Sequence, residues 1–242
     1  MQWRDQGIIL TLRKYGEFDA ILEVLTRDHG LCCGIVKGGL GRRQRGNIQP
    51  GNEIDVTWRG RLSSHLGLYN VEVKNARSVA FLYTPSKLAA LNSVTAVLSV
   101  ALPENEVHSL LLDGLLAFLD TLNLAQDNIL NWGPLLVRFE LGLLQELGFG
   151  LNLGSCVASG QQDELIYVSP KSGRAVSKEA GLPYHDKMLT LPKFLTETGH
   201  DVTIEDIRCG FALTEFFMDR HMLRPFAKKI PQARRMIMDY II

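Results

Sequence analysis

Alternating apolar and polar positions dominate the first 77 residues and predict short strands. The clearest case is Glu53–Arg59, where Ile54, Val56 and Trp58 alternate with polar side chains, so one face is buried and the other meets water. Similar segments bounded by turn residues predict strands over 7–12, 20–26, 31–37, 53–59 and 66–73. Five short strands around a Gly-rich loop at 38–51 favour a small, partly open β-barrel of the OB type.

From Thr84 onward the apolar period changes to three and four residues. Thr84 is placed to cap a helix, and Pro85 stands at its first position, where a missing N–H costs nothing. Leu-rich faces predict helices near 85–102, 104–123 and 133–147, with glycines ending the third.

The last third of the chain is less regular. Residues 151–190 lose clear periodicity and predict a loop-rich insertion. Helix resumes near Thr203, which can form a capping box with Asp206, and Pro225 is expected to stop it. The fold class is therefore α+β and multidomain, with an N-terminal OB-fold barrel over 1–80 and a mostly α-helical domain over 81–242.

Charge is unevenly distributed, although Lys+Arg and Asp+Glu both number 26. Residues 1–82 carry a net charge of +4, residues 83–150 carry −5 and residues 151–242 carry +1. A basic front followed by an acidic, Leu-rich middle indicates a nucleic-acid-binding module joined to something else.

The most informative stretch of the first domain runs from Lys37 to Gly46 and combines glycines with four cations. Glycines let the backbone approach a phosphate closely, and the cations neutralise it. A nucleotide-binding P-loop would need a Gly-Lys-Ser/Thr ending that opens a helix, which is missing here. A solvated surface loop is the alternative to DNA contact. The candidate DNA-binding residues are Lys37, Arg42, Arg43, Arg45, Arg59, Arg61, Lys14 and Tyr15.

Aromatic side chains are the second requirement for holding a single strand. Tyr15 follows the first strand, next to Lys14, where OB barrels often touch oligonucleotides. Trp58 and Tyr69 lie within alternating strands, so we expect both in the core. Phe18 fits a plug at the end of the barrel better than a base platform.

Catalytic signals are weak. The six histidines are scattered, and the paired carboxylates Glu104 with Glu106 and Glu205 with Asp206 stand at predicted helix starts, where negative charge favours the dipole. The start of the chain has no apolar leader, and the four cysteines do not form a secreted disulfide framework. We expect a soluble cytoplasmic protein that neither crosses a membrane nor acts as an enzyme.

Several short motifs, in this order, resemble the RecO family of bacterial recombination-repair mediators, and the resemblance covers nearly the whole chain. The N-terminal ones are Gly7-Ile8-Ile9-Leu10, Tyr15-Gly16-Glu17, Asp19, Leu25-Thr26, Gly30-Leu31 and Lys37-Gly38. The later ones are Arg138-Phe139-Glu140-Leu141, Leu147-Gly148-Phe149-Gly150 and Tyr167-Val168-Ser169-Pro170.

The resemblance implies an OB fold, a helical domain, binding to single- and double-stranded DNA, and annealing of complementary strands. It also implies partnership with RecR, with single-stranded-DNA-binding protein and, functionally, with the recombinase RecA. Arg138 is one of two cations between 83 and 150 and is our candidate for binding the acidic C-terminal tail of single-stranded-DNA-binding protein. Its alternative role is an internal pair with Glu140 or Asp113.

Many RecO proteins resemble zinc ribbons in the 151–190 insertion, with two Cys-x-x-Cys pairs. The corresponding positions here hold Cys156, Ser159, Ser177 and Ala180. Structural zinc needs four good donors, and a serine hydroxyl is a poor one. We therefore expect a degenerate, metal-free ribbon and no cofactor.

Two other functions remain open from the residues alone. A different OB-type module, RNA-binding or associated with translation, would use the Lys37–Arg45 loop equally well. An enzyme acting on nucleic acid would need an acidic cluster on the barrel, which the sequence does not nominate. The sequence leaves open the oligomeric state, the stoichiometry with RecR, and whether the basic C-terminal cluster forms a second DNA site.

Overall fold

The structure is a computed structural model that describes residues 1–42, 44–61 and 66–241 of the 242-residue chain. It divides into two compact units, Met1–Asn123 with Pro231–Arg235 and Leu124–Ile230 with Met236–Ile242. The first unit holds a five-stranded barrel and the helices that follow it. The second holds further helices and a small sheet.

The barrel confirms the five strands that the alternation predicts. They are β1 (Gln2–Tyr15), β2 (Asp19–Thr26), β3 (Gly30–Val36), β4 (Glu53–Arg59) and β5 (Gly67–Asn75). The order around the barrel is β1-β2-β3-β5-β4, and β1 also pairs with β4, so the barrel is closed rather than partly open. The β3–β5 pairing is parallel and limited to Gly34 with Gly67 and Ile35 with Leu68.

The inward faces of the strands form one hydrophobic core. Trp58 and Tyr69 are 2% and 5% exposed, which confirms their predicted burial. Phe18, expected as a plug, is instead 63% exposed because it lies on the turn between β1 and β2. Ile48 is fully buried, so the loop after β3 contributes to the core as well.

The helical part begins earlier than the pattern predicts. The helix expected from 104 starts at Ser109, and the one expected from 133 starts at Ile129. The α-helices are α1 (Arg77–Phe81), α2 (Pro85–Ala101), α3 (Ser109–Leu124), α4 (Ile129–Glu146), α5 (Lys178–Gly181), α6 (Ile204–Phe217) and α7 (Gln232–Arg235). The short α1 carries no periodic signal of its own. Glu104 and Glu106 precede α3 by several residues, so the interpretation of this pair as helix-start charges is wrong. The main chain of Asn105 instead donates to the Leu31 carbonyl at 2.9 Å.

The helix ends confirm most, but not all, of the predicted start and stop residues. Pro85 is the first residue of α2, as predicted, but the Thr84 side chain makes no cap hydrogen bond. Thr203 and Asp206 form the predicted capping box of α6. After Phe217 the helix loosens into a π-helical turn, Met218–Leu223. Pro225 lies in the 3₁₀ turn that follows, so the helical run ends where the sequence predicted.

The segment 151–190 is more ordered than a loop-rich insertion. Three short strands, β6 (Leu165–Val168), β7 (Ala175–Ser177) and β8 (Leu189–Thr190), form a sheet in the order β7-β6-β8. Short 3₁₀ elements at Leu182–Lys187 and Lys193–Leu195 flank β8. In the part of the chain that the structure describes, every helix is too short or too polar to cross a membrane.

Candidate nucleic-acid interface

The basic loop after β3 is anchored at both ends. Near its start, the Leu40 N–H donates to the Phe18 carbonyl at 2.9 Å, which ties the loop to the β1–β2 turn. Near its end, the buried Asn52 side chain donates to the Asn47 carbonyl at 2.9 Å and accepts from the Ser78 N–H at 3.0 Å. Buried side chain to backbone bonds of this kind fix a loop conformation. The loop is therefore anchored to the barrel unit at both ends.

The two described loop arginines lie on the solvent-exposed side of this anchored loop. Arg42 and Arg45 are exposed and line one cleft of about 550 Å³ together with side chains of α1 and α2, among them Val79 and Leu88. The third predicted arginine, Arg43, lies outside the described residues. The structure thus brings two of the predicted cations together.

Lys37 is exposed at the first position of the loop and forms an ion pair with Asp19 at 2.7 Å. The carboxylate raises the pKa of Lys37, and the hydrogen bonds from Lys37 and the Gly38 N–H hold the pKa of Asp19 below its usual value. Because its charge is shared with Asp19, Lys37 offers a phosphate less than an unpaired arginine does.

Lys14 and Tyr15 lie beside Lys37, since Lys14 pairs with Ala20 and Ala20 pairs with Val36 across three strands. Both side chains are exposed, and Tyr15 keeps 46% of its surface accessible. Tyr15 is therefore placed where a base could reach it. The strand register thus brings Lys14 and Tyr15 close to Lys37.

Arg59 is displaced from the loop but lies on the same outer face as Lys37. It pairs with Leu68 on β5, which stands beside Ile35 on β3. Two strand spacings separate Arg59 from Ile35, or about 10 Å, and Lys37 follows Ile35 by two residues. Arg61 is exposed in the turn after β4.

Arg59, Leu68 and Ile35 form a row of paired residues across the outer face of the barrel. The row continues to Arg13, a cation that was not among the predicted site residues. Ile35 pairs with Ile21, which pairs with Arg13. Arg13 and Arg59 are exposed at the two ends of the row, and Arg13 also forms an ion pair with Glu23 at 3.5 Å. The missed signal was the alternation along β1, which points Arg13 outward. Its partners in the row come from other strands and only the barrel register reveals them.

An aromatic stack occupies another part of the barrel. Trp3 stacks on the buried Trp58 with ring centroids 5.9 Å apart, and on His29 with centroids 4.2 Å apart. The Asp5 carboxylate fixes the imidazole through a 2.8 Å hydrogen bond to Nδ1 of His29. Burial alone would raise the pKa of Asp5, but hydrogen bonds from His29 and from the main chain of Asp28 outweigh it and lower that pKa. The sequence pattern gave no sign of this role for His29, which is one of six scattered histidines.

In the second unit, Arg138 is exposed on α4 and makes neither of the internal pairs considered for it. Its guanidinium donates to the Phe194 carbonyl and lies 5.4 Å from the centre of the Phe194 ring. Glu140 accepts from the Thr214 hydroxyl, and Asp113 binds Arg27. Arg138 lines two neighbouring clefts of about 370 and 290 Å³.

Three of the four positions matched to zinc ligands gather around one sulfur. The Ser177 N–H donates to Sγ of Cys156 at 3.3 Å, and the Ser177 hydroxyl lies 3.4 Å from it. Burial opposes ionisation, yet hydrogen bonds from Ser159 and Ser177 lower the pKa of Cys156 to about 6. The fourth position, Ala180, has no donor. Within residues 1–42, 44–61 and 66–241, histidines, cysteines and carboxylates do not group in threes as a metal site would need.

The basic C-terminal cluster consists of Arg220, Arg224, Lys228, Lys229, Arg234 and Arg235, and several of these cations already have protein contacts. Arg234 is fully buried, Arg220 donates to the Pro170 carbonyl, and Arg224 pairs with Asp219. These contacts reduce the number of cations that the cluster can offer to phosphates.

Comparison with known proteins matches both parts of the chain. The family model for the Recombination protein O N terminal matches residues 1–77, and that for the Recombination protein O C terminal matches residues 82–230. Proteins named DNA repair protein RecO are 45% identical in Bartonella bacilliformis (99% of this chain, 96% of the relative) and 46% identical in Bartonella quintana (97% and 95%). The one from Beijerinckia indica is 45% identical over 97% of this chain and 92% of the relative. The chain therefore belongs to the RecO family of DNA repair proteins.

Proposed function

We propose that this chain is a recombination mediator that binds single- and double-stranded DNA, anneals complementary strands and, with RecR, helps load RecA onto coated single strands. The observation that carries the proposal is the anchored basic loop on an OB-type barrel in a chain of the RecO family. Arg42 and Arg45 project from an anchored loop, and a second set of cations follows the outer face of β3, β5 and β4.

The proposed mechanism is electrostatic. Two DNA strands repel one another, and cations that neutralise the phosphates release condensed counterions and let the strands approach. Contacts to phosphates do not read sequence, which suits a protein that must anneal any complementary pair. We propose that the chain acts without catalysis. His29 and Asp5 are hydrogen-bonded to each other, and Asp206 caps α6.

We propose that Arg138 receives the acidic C-terminal tail of single-stranded-DNA-binding protein. The guanidinium is exposed between two clefts, and the smaller one has apolar walls from Leu141, Leu151 and Leu195. A cation beside an apolar cleft suits a peptide that ends in a carboxylate and carries apolar side chains. Its hydrogen bond to the Phe194 carbonyl holds the guanidinium at the cleft and leaves its other donors available.

A strand-annealing assay tests the proposal. Two complementary fluorescent oligonucleotides are mixed with the protein, bare or coated with single-stranded-DNA-binding protein, and duplex formation is followed in time. We expect faster annealing of both, with matched RNA oligonucleotides annealed no better than DNA. Preference for RNA without annealing would favour the RNA-binding alternative, and divalent-metal-dependent cleavage or nucleotide turnover would favour an enzyme.

A further inference from the structure

The aromatic stack ends at an open cleft in the first unit, and DNA phosphate contacts alone do not explain it. The cleft has a volume of about 770 Å³, enough to admit a nucleotide, and Trp3, His29, Trp58 and Leu66 line it. It opens beside the first half of β3, where the β3–β5 pairing has not yet begun. A cleft at this place follows from the short pairing between those strands.

The three rings form a regular ladder that leads from the core to the surface. Trp58 is 2% exposed, Trp3 is partly exposed, and the His29 side chain is 34% exposed. Neighbouring planes are inclined by only 8° and 12°. Trp3 covers one face of His29, so the accessible surface of the imidazole lies on the remainder of the ring. A further flat ring can extend the ladder there.

The ladder is held in place by buried groups. The Asp5 side chain is 2% exposed and accepts hydrogen bonds from His29 and, at 2.9 Å, from the Asp28 N–H. The imidazole plane is therefore fixed before any ligand arrives, which lowers the entropic cost of stacking. Gly60, after β4, and Gly67, at the start of β5, pack directly on the indole: a Cβ on Gly67 would lie 2.3 Å from the Trp58 ring.

Charges and polar groups at the cleft fit a nucleotide. Arg13 lines it, so a cation is available for a phosphate next to the bound base. Glu104 and Asn105 add hydrogen-bonding groups to the lining, and these suit the edge of a base better than a phosphate. An aliphatic protein side chain would make no use of the stacked rings.

We infer that this cleft is a base-stacking subsite, in which one unpaired base of a single DNA strand stacks on the Trp58–Trp3–His29 ladder while Arg13 binds a flanking phosphate. The inference rests on the proposed DNA binding and adds to it a site that recognises bases as flat rings. Base stacking on an aromatic ladder is tolerant of sequence. It would hold a strand unpaired until a complementary strand displaces the base.

The test compares two probes of equal charge, a 12-nucleotide oligo-dT and a 12-nucleotide oligomer in which every base is replaced by an abasic tetrahydrofuran. Affinity is measured by fluorescence anisotropy for the wild-type chain and for His29→Ala, His29→Phe and Tyr83→Ala. Tyr83 is the matched control, because it is 93% exposed and does not line the cleft.

We expect the wild-type chain to bind oligo-dT about tenfold tighter than the abasic oligomer, as stacking of one base provides. His29→Ala should lose most of this ratio, whereas His29→Phe and Tyr83→Ala should keep it. The salt dependence should be the same in all four proteins, because none of the substitutions removes a phosphate contact.

The outcomes separate the two proposals. Equal binding of both oligomers by the wild-type chain, or an unchanged ratio in a folded His29→Ala chain, overturns the base site and leaves DNA binding intact. Binding of neither oligomer overturns the proposed function together with the subsite.

Discussion

Two surfaces of the barrel unit present the groups that single-stranded DNA needs, and they are built in opposite ways. The basic loop is contiguous in sequence, from Lys37 to Gly46, and among its described cations Lys37, Arg42 and Arg45 are exposed. The aromatic ladder joins Trp3, His29 and Trp58, which three different parts of the chain supply and which strand register brings together. The sequence alone thus predicts the charged surface, because its cations are neighbours along the chain. The stacking surface can be recognised only once the pairing of the β-strands is known.

The two surfaces also differ in the forces they use. Contacts between cations and phosphates weaken steeply with salt, because bound counterions are released. Stacking of flat rings is short-ranged and nearly independent of salt. Raising the salt concentration should therefore weaken mainly the phosphate contacts of the basic loop. Removing the bases from the oligonucleotide should weaken mainly the stacking on the aromatic ladder.

Removal of the loop arginines is expected to have the largest effect. If about four cations neutralise phosphates on a single strand, the log–log salt slope should be about −3, a loss of about fifty-fold in affinity between 50 and 200 mM salt. Replacing Arg42, Arg43 and Arg45 with alanine should flatten the slope by about 2 and abolish annealing. Base preference should stay unchanged, as should thermal stability, because exposed cations contribute little to folding.

The matched control removes three exposed cations of the second unit, Lys171, Arg174 and Lys178. This variant should keep the wild-type slope. An unchanged slope in a well-folded loop variant would place the phosphate contacts elsewhere, first on the row from Arg13 to Arg59 and then on exposed C-terminal cations such as Lys229.

Arg138→Ala sharpens the comparison by removing a cation that belongs to neither barrel surface. We expect binding of a labelled tail peptide of single-stranded-DNA-binding protein to weaken about tenfold, the contribution of one charge-assisted hydrogen bond. DNA affinity and its salt slope should not change. Unchanged peptide affinity in a folded Arg138→Ala chain would show that the tail binds at another place.

Asp5→Asn should affect the aromatic surface and leave the basic one alone. The buried Asp5 carboxylate accepts several hydrogen bonds, and we expect the free energy of unfolding to fall by about 1–3 kcal/mol when its charge is removed. Because the pKa of Asp5 is lowered below its ordinary 3.8, its stabilisation is present above that pH and is lost as the pH falls through the lowered value.

The difference in stability between wild type and Asp5→Asn should therefore shrink as the pH falls from 5 to 3. Denaturant titrations at each pH measure it. A difference that is independent of pH over this range would mean that the charge of Asp5 does not stabilise the ladder.

The smallest expected effect concerns a third region, around Cys156. We expect elemental analysis of the purified protein to find no stoichiometric zinc, and chelators to leave its melting temperature unchanged, because three of the four ligand positions are Ser159, Ser177 and Ala180. One tightly bound zinc per chain would contradict this and would mean that other donors, such as His185 or Cys209, had been recruited.

Much of the fold could be predicted because its signals are local. The alternation of apolar and polar residues predicted both ends of strand β4, Glu53–Arg59, correctly. The Thr203–Asp206 capping box marks the start of α6. The errors have physical causes. Thr84 could cap α2, yet its side chain makes no such bond, and α1 is too short to show a period. Phe18 was assigned to the barrel end because apolar side chains are usually buried, but its turn leaves it in water.

The sequence by itself determined that a basic barrel precedes a helical region, since residue spacing and local charge depend only on neighbours along the chain. Tertiary structure alone decided which cations share a surface and which rings form a ladder. Arg13 and Arg59 belong to one row, and Trp3 meets His29, because the strands close in one register. A shift of one residue would turn each of these side chains to the opposite face, so the pairing of strands sets the chemistry of the surface.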